Sequence, residues 1–309
     1  LNRIAYGLNL IDGDISSESL RQRMREYGVS AKRQELIENK IDSTLLSNVV
    51  SSMSFVIADI NKYTGQKFLQ NYIYNDNKLE GVVIDRKQLN YILADLNFNG
   101  VDSQFFENDR EEIVMTLGNL ELQQYVINTK DDISLRNCGQ LHSLLFKYVP
   151  YPDDNGKFRD GTALLKRGTI QPVPYYEIND RINELDKELQ FFMKNIDQYE
   201  IGKYIEQVAY FTYKFIVIHP FRDGNGRISR AIMNWLLSKK KIPPIYIDQK
   251  CRKEYYDALS KIDLEEDPVP FIMFIEKRII HTMIELHRYL FVDEIDEEEI
   301  NEEAEVNGN

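Results

Sequence analysis

Residues 200–219, EIGKYIEQVAYFTYKFIVIH, carry apolar side chains on most faces of a helix, and this constrains the fold more than any other feature of the chain. A helix with no polar face to offer water belongs in the middle of a bundle. Around it, apolar residues recur three and four apart almost everywhere, while period-two alternation is scarce. The pattern predicts a short polar helix ending at Gly28, a second over 43–63, a polar turn or short helix around Asp76–Gly81, and an amphipathic helix after it. Further helices are predicted over 107–128, 179–195 and 200–219, in ISRAIMNWLLSKKK before Pro243, in CRKEYYDALSKI, and in PFIMFIEKRIIHTMIELHRYL. Prolines and glycines gather only between Val149 and Tyr176, where TALLKRGTI reads as a small hairpin turning at Lys166–Gly168. The expected fold class is all-α, a helical bundle with one small β-hairpin.

The chain of 309 residues, 43% hydrophobic and 28% charged, is long and apolar enough to bury a sizeable core. Its net charge of −12 misleads as a guide to partners, because residues 291–309 hold nine acids and no base and leave only −3 for the rest. That balance argues against nucleic acid as a bulk partner, and the acidic tail is expected to be disordered. Cys138 and Cys251 are too few for a disulfide framework or a zinc site and fit a reducing compartment. No apolar run reaches the ~20 residues of a membrane span. A cytoplasmic protein without a membrane partner is expected, and a homodimer is left open.

Directly after the apolar helix comes HPFRDGNGRISR, residues 219–230. A calcium loop is excluded: with Asp223, Asn225 and Gly226 at its third, fifth and sixth positions, Phe221 and Ile232 would stand where the first and last carboxylates belong. A Walker phosphate loop is absent as well. A glycine-bearing loop between two helices points to another anion device. The amides that open the second helix lack intrahelical acceptors and meet the positive end of its dipole. Gly224 and Gly226 let that backbone approach phosphate oxygens closely. Arg227 and Arg230, three apart, sit on one face of the first turns. Asp223 beside a phosphate cradle would repel it, and Mg²⁺ bridging acid and phosphates resolves the conflict. His219 is then placed as a general base. Each residue alone is more often a cap, a turn or a solvated face; all of them within twelve residues favour a site.

HPFRDGNGRISR resembles the Fic-domain signature HxFx[DE]GNGRxxR, with every defined position filled. The resemblance extends from Ile133 to Arg288 through QLHSLLFKYV, GKFR at Gly156–Arg159, the Ala163–Tyr175 hairpin region, CRKEYYDAL and PFIMFI. It implies a Fic-type helical bundle that moves AMP from ATP to a Ser, Thr or Tyr hydroxyl of a target protein. In that reading His219 deprotonates the hydroxyl, Asp223 holds Mg²⁺, and Gly224, Asn225 and Gly226 form the anion hole. Arg227 binds the phosphate chain, Arg230 holds the γ-phosphate, and Phe221 anchors the loop. The hairpin edge at Leu164, Leu165 and Lys166 would align a target segment by strand addition.

YNDNKLEGV resembles the family's inhibitory motif [ST]xxxE[GN], with Glu80 as the glutamate and Gly81 after it. It departs from that pattern in having Asp76 where Ser or Thr is usual. Glu80 paired with Arg230 would take the charge that the γ-phosphate needs. The implied organisation is an N-terminal helical region with the inhibitory motif over 1–110, a catalytic domain over 111–290, and the tail over 291–309. Two rival readings remain: removal of AMP by the same site, and a non-catalytic nucleotide-binding module, against which both His219 and Asp223 speak.

Overall fold

A computed structural model describes residues 65–108, 110–129, 132–150, 155–163, 169–283 and 285. The helices predicted at 16–28 and 43–63, the hairpin residues Leu164, Leu165 and Lys166, and the acidic tail lie outside these. Among the described residues there are helices and 3₁₀ turns and no strand. The helices are α1 (Gly65–Glu80), α2 (Arg86–Asn99), α3 (Glu111–Asn128), α4 (Cys138–Leu145), α5 (Ile178–Lys194), α6 (Ile201–Ile218), α7 (Asn225–Lys239) and α8 (Arg252–Glu265). Residues 269–283 are helical as well.

The main core joins α4–α8 and the last helical run around the buried aromatics Phe192, Tyr204, Phe211, Phe215, Phe221 and Trp235. A second core gathers α1, α2 and the start of α3 around Phe68, Tyr72, Leu89 and Ile92, with Tyr246 closing it. Helix α3 belongs to both: Ile113, Leu117 and Leu120 face the second core, Leu122 and Val126 the main one. Its Gly118 sits so close to α4 that a Cβ there would stand 1.9 Å from the Leu145 carbonyl oxygen.

Two expectations change. The most enclosed helix is α7, with twelve of its fifteen residues buried, whereas α6 keeps Tyr210 and Lys214 exposed. The polar residues of α7 are buried because they have specific partners. Asn234, for example, bonds both the N–H (2.9 Å) and the C=O (3.0 Å) of Ile245. The second change concerns Asp76–Gly81, expected as a polar turn or short helix of its own: Asp76 to Glu80 form the end of the sixteen-residue helix α1. Gly81, at φ 91°, ends that helix: its N–H reaches Lys78 O, and Val82 N–H reaches Asn77 O at 2.9 Å. This pair of bonds is a Schellman closure, which needs a left-handed residue just past the cap and therefore favours glycine.

Candidate active site

Helix α6 stops at His219, which takes the left-handed conformation (φ 49°, ψ 59°) while its N–H still bonds Phe215 O at 3.0 Å. A histidine pays strain for that geometry, so something must hold it. Arg159 does so. Its Nε donates to His219 O at 2.7 Å, Nη1 to Gly161 O at 2.7 Å, and Nη2 to Val173 O and Ile218 O. Its own N–H reaches Pro220 O at 2.8 Å. A buried guanidinium thus satisfies the carbonyls at the end of α6, where a cation is also favoured by the helix dipole. Burial, followed by the charge of Arg159, brings the His219 imidazole down to about 4, so the ring is neutral at physiological pH.

The loop closes on itself through Asn225. Its Oδ1 accepts from Phe221 N–H at 2.9 Å and its Nδ2 donates to Phe221 O at 2.7 Å. What Asn225 offers the cleft is therefore its amide rather than its side chain. Phe221 is fully buried against His142, with ring centroids 4.3 Å apart, and His142 stacks in turn on Phe146. Gly224 begins α7 at φ 81°, where a Cβ would collide with Phe146 and Leu145 at 2.7–2.8 Å. The amides of residues 225–227 open that helix without intrahelical acceptors. Asp223 carries a side chain that is 66% exposed; its Oδ1 accepts from Gly224 N–H and its Oδ2 from Arg227 Nη2 at 3.3 Å. Arg227 is buried beneath it, over the Phe146 ring.

Arg230 is enclosed and doubly paired. Its Nε donates to Asp76 Oδ1 at 2.5 Å and its Nη2 to Glu80 Oε1 at 2.6 Å. Burial alone would lower the Arg230 pKa; the carboxylates of Asp76 and Glu80 outweigh it, so the guanidinium stays charged. Burial likewise pushes Glu80 up, and the guanidiniums of Arg230 and Arg227 overcome it, holding the carboxyl below its usual range. Gly226 makes the approach possible: a Cβ there would stand 2.5 Å from Glu80 Oε1.

His219, Asp223, Gly226, Arg227, Arg230 and Glu80 all line one open cleft of about 1310 Å³. The sequence reading placed these residues together; it missed two others. Asp76 appeared only as a departure from a pattern, and Arg159 only as part of GKFR. For Arg159 the sequence held no stronger signal, because its partners are backbone carbonyls.

Residues 132–237 match the family model described as the Fic/DOC family. Proteins named protein adenylyltransferase Fic from Culex quinquefasciatus and Aedes aegypti are each 28% identical over 263 residues, 84% of this chain and 49% of theirs. One from Drosophila erecta is 28% identical over 266 residues. The chain spans about half the length of these curated relatives. Among solved structures, a Fic domain containing signaling protein from Bacteroides thetaiotaomicron aligns with TM-score 0.63 at 18% identity, covering 79% of this chain and 97% of that one. Fic-1 from C. elegans aligns with TM-score 0.62 at 19% identity, covering 95% and 82%. At such identities the structures establish the fold alone.

Proposed function

We propose that this chain, which carries a Fic domain over residues 132–237, is a protein adenylyltransferase held in check by its own Glu80. The observation that carries this reading is the 2.6 Å bond from Arg230 Nη2 to Glu80 Oε1, inside the cleft that His219 and Asp223 also line. Two stretches 150 residues apart meet where a triphosphate would end.

The chemistry proposed is attack of a Ser, Thr or Tyr hydroxyl oxygen on the α-phosphorus of ATP. An O–P bond forms, the bond from the α-phosphorus to the α,β-bridging oxygen breaks, and pyrophosphate leaves. His219, neutral and held rigid by Arg159, takes the hydroxyl proton. The amides of 225–227 receive the charge that grows on the phosphoryl oxygens, and they are already fixed by the Asn225 closure, so little reorganisation is needed. Arg227, which lines the same cleft, would bind the phosphate chain, and Arg230 would take the γ-phosphate once Glu80 yields.

Among the described residues no group of three or more His, Cys, Asp or Glu side chains gathers to hold a metal. Mg²⁺ needs no such cage when substrate phosphates and waters complete its shell, and the exposed carboxylate of Asp223 fits that use. The ion would offset phosphate charge. Asp223→Ala should therefore abolish Mg²⁺-dependent transfer; unchanged dependence on Mg²⁺ concentration would place the ligand elsewhere.

The test of the whole reading is incubation with α-labelled ATP and Mg²⁺. Self-labelling that rises in Glu80→Gly supports it. ATP binding without labelling in either protein would leave only a nucleotide-binding module.

A further inference from the structure

The departure from the inhibitory pattern at Asp76 has a physical meaning in this chain. Arg230 has two carboxylate partners, and they are not equivalent. Asp76 is buried, with 2% of its side chain exposed, and takes Nε; Glu80 keeps 23% open to the cleft and takes Nη2. The other oxygen of Asp76 accepts from Asn119 Nδ2 at 3.0 Å. Asn119 Nδ2 also reaches Asn77 Oδ1 at 3.0 Å, and Asn77 Nδ2 reaches Thr116 Oγ1 at 2.8 Å. Asp76 is thus held at one carboxylate oxygen by Asn119 of α3 and at the other by Arg230 of α7, while its neighbour Asn77 is tied to α3 as well. Among the described residues, Glu80, one turn later at the last position of α1, has no comparable second side-chain anchor: its bond to Arg230 holds it over the cleft.

We propose that Asp76 is the standing partner of Arg230, a positioning residue that sets how readily Glu80 is displaced. This rests on the adenylyltransferase reading and deepens it. Asp76 keeps the guanidinium aimed through Nη2 at the cleft whether a glutamate or a phosphate occupies that side. Its charge keeps the buried cation compensated when Glu80 leaves, so that opening does not strand an unpaired charge, the costly outcome for a buried pair. The two acids are also one helical turn apart and repel each other, which loosens Glu80 further. A Ser or Thr at position 76 would offer a hydroxyl but neither charge effect. Autoinhibition in this chain is thus tempered by a second acid.

Asp76→Asn keeps the side-chain shape and an oxygen for Arg230 Nε while removing the charge. Left with Glu80 as its only carboxylate, Arg230 should grip it harder. Self-labelling of Asp76→Asn from ATP is expected to fall about tenfold below wild type, which corresponds to about 1.4 kcal/mol. Removing Glu80 as well should restore labelling to well above Asp76→Asn, because the tightened inhibitor is gone. Calorimetry supplies a readout that needs no turnover. Asp76→Asn should weaken ATP about tenfold and leave ADP within about twofold, since only the terminal phosphate competes with Glu80 for Arg230. Labelling equal to or above wild type in Asp76→Asn would overturn the proposal. So would a double variant as inactive as Asp76→Asn, or ATP and ADP weakened alike, since both would mark a collapsed site rather than a tightened inhibitor. ATP weakened alone, in a chain that labels nothing even as Glu80→Gly, would sink the transfer reading and uphold the role of Asp76.

Discussion

The loop 219–224 with the start of α7, and the end of α1, meet at one guanidinium but are held by opposite means. The loop is built mostly from itself. Asn225 bonds both backbone groups of Phe221 four residues earlier, and Asp223 bonds the next residue's N–H. The end of α1 is held by partners far away in sequence. Asp76 and Glu80 pair with Arg230 154 and 150 residues on, Asn77 with Thr116 at 39, and the Leu79 carbonyl accepts from Arg252 Nη2 at 173. A locally closed loop is pre-organised and gains nothing by moving. Glu80 alone, at the tip of that helix end, is held by one half-open ion pair that a ligand could replace, which suits the residue proposed to yield.

The largest effect should come from the rigid side. His219→Ala removes only the proton acceptor, so transfer should fall by about 10²–10⁴-fold while calorimetric ATP binding persists. Retention of transfer within tenfold would mean that His219 is not the base. Next, Asn225→Ala strands the buried N–H and C=O of Phe221, each at a cost of about 1–3 kcal/mol. In a chain this size that should lower the melting temperature by at least about 3 °C, with transfer falling alongside. A melting temperature unchanged by Asn225→Ala would show that the loop is not closed by this side chain.

On the exchangeable side, Glu80→Gly should do the reverse. A charge-assisted bond is worth roughly 1.5–3 kcal/mol, so release should raise self-labelling by on the order of ten- to a hundredfold. Its melting temperature should drop less than that of Asn225→Ala, because Asp76 still compensates Arg230. Arg230→Ala should not mimic the gain, since in the proposed mechanism it removes the phosphate clamp along with the partner of Glu80. Lowered labelling in Glu80→Gly would break the comparison, and a loss confined to AMP removal would favour the reverse reaction.

The same contrast decides what was legible in the sequence. The loop could be read because its chemistry lies within twelve residues: an apolar helix before it, glycines at the cap, arginines on the first turns. That spacing puts the start of the second helix near Asn225 or Gly226, and α7 begins at Asn225. The extent of α1 could not be read in this way. Asp76, Asn77 and Glu80 look like turn residues, since their partners on α3 and α7 are invisible to local patterning, and buried pairing overrides local propensity. The enclosure of α7 was missed for the same reason: Arg227, Arg230 and Asn234 read as a polar face until their partners are seen. Arg159 bonds backbone oxygens, which no side-chain pattern encodes.

The smallest expected effect is an absence of change, and it tests the rigid side through pH. His219 and His142 are both brought down to about 4, His142 chiefly by burial between Phe146 and Phe221. An ordinary histidine, near 6.5, would be mostly protonated at pH 5.5 and would lose about tenfold as a base. One at about 4 stays neutral there. For Glu80→Gly, kcat/KM, which reports the free enzyme, should therefore change less than about twofold from pH 7.5 to 5.5 and fall only toward pH 4. The kcat profile should bend at higher pH, because bound phosphates draw a proton to His219. Stability should behave differently over the same window. Both pKa values are depressed on folding, so between about 6.5 and 4 the unfolded chain binds protons that the folded one does not. Stability is then full above about pH 6.5 and declines as pH falls, by up to about 1.4 kcal/mol per unit for each histidine. A melting temperature that drops while kcat/KM holds level would mark a base buried and fixed before substrate arrives. An acid limb near 6.5 would mean that the Arg159 clamp does not hold His219 as it stands.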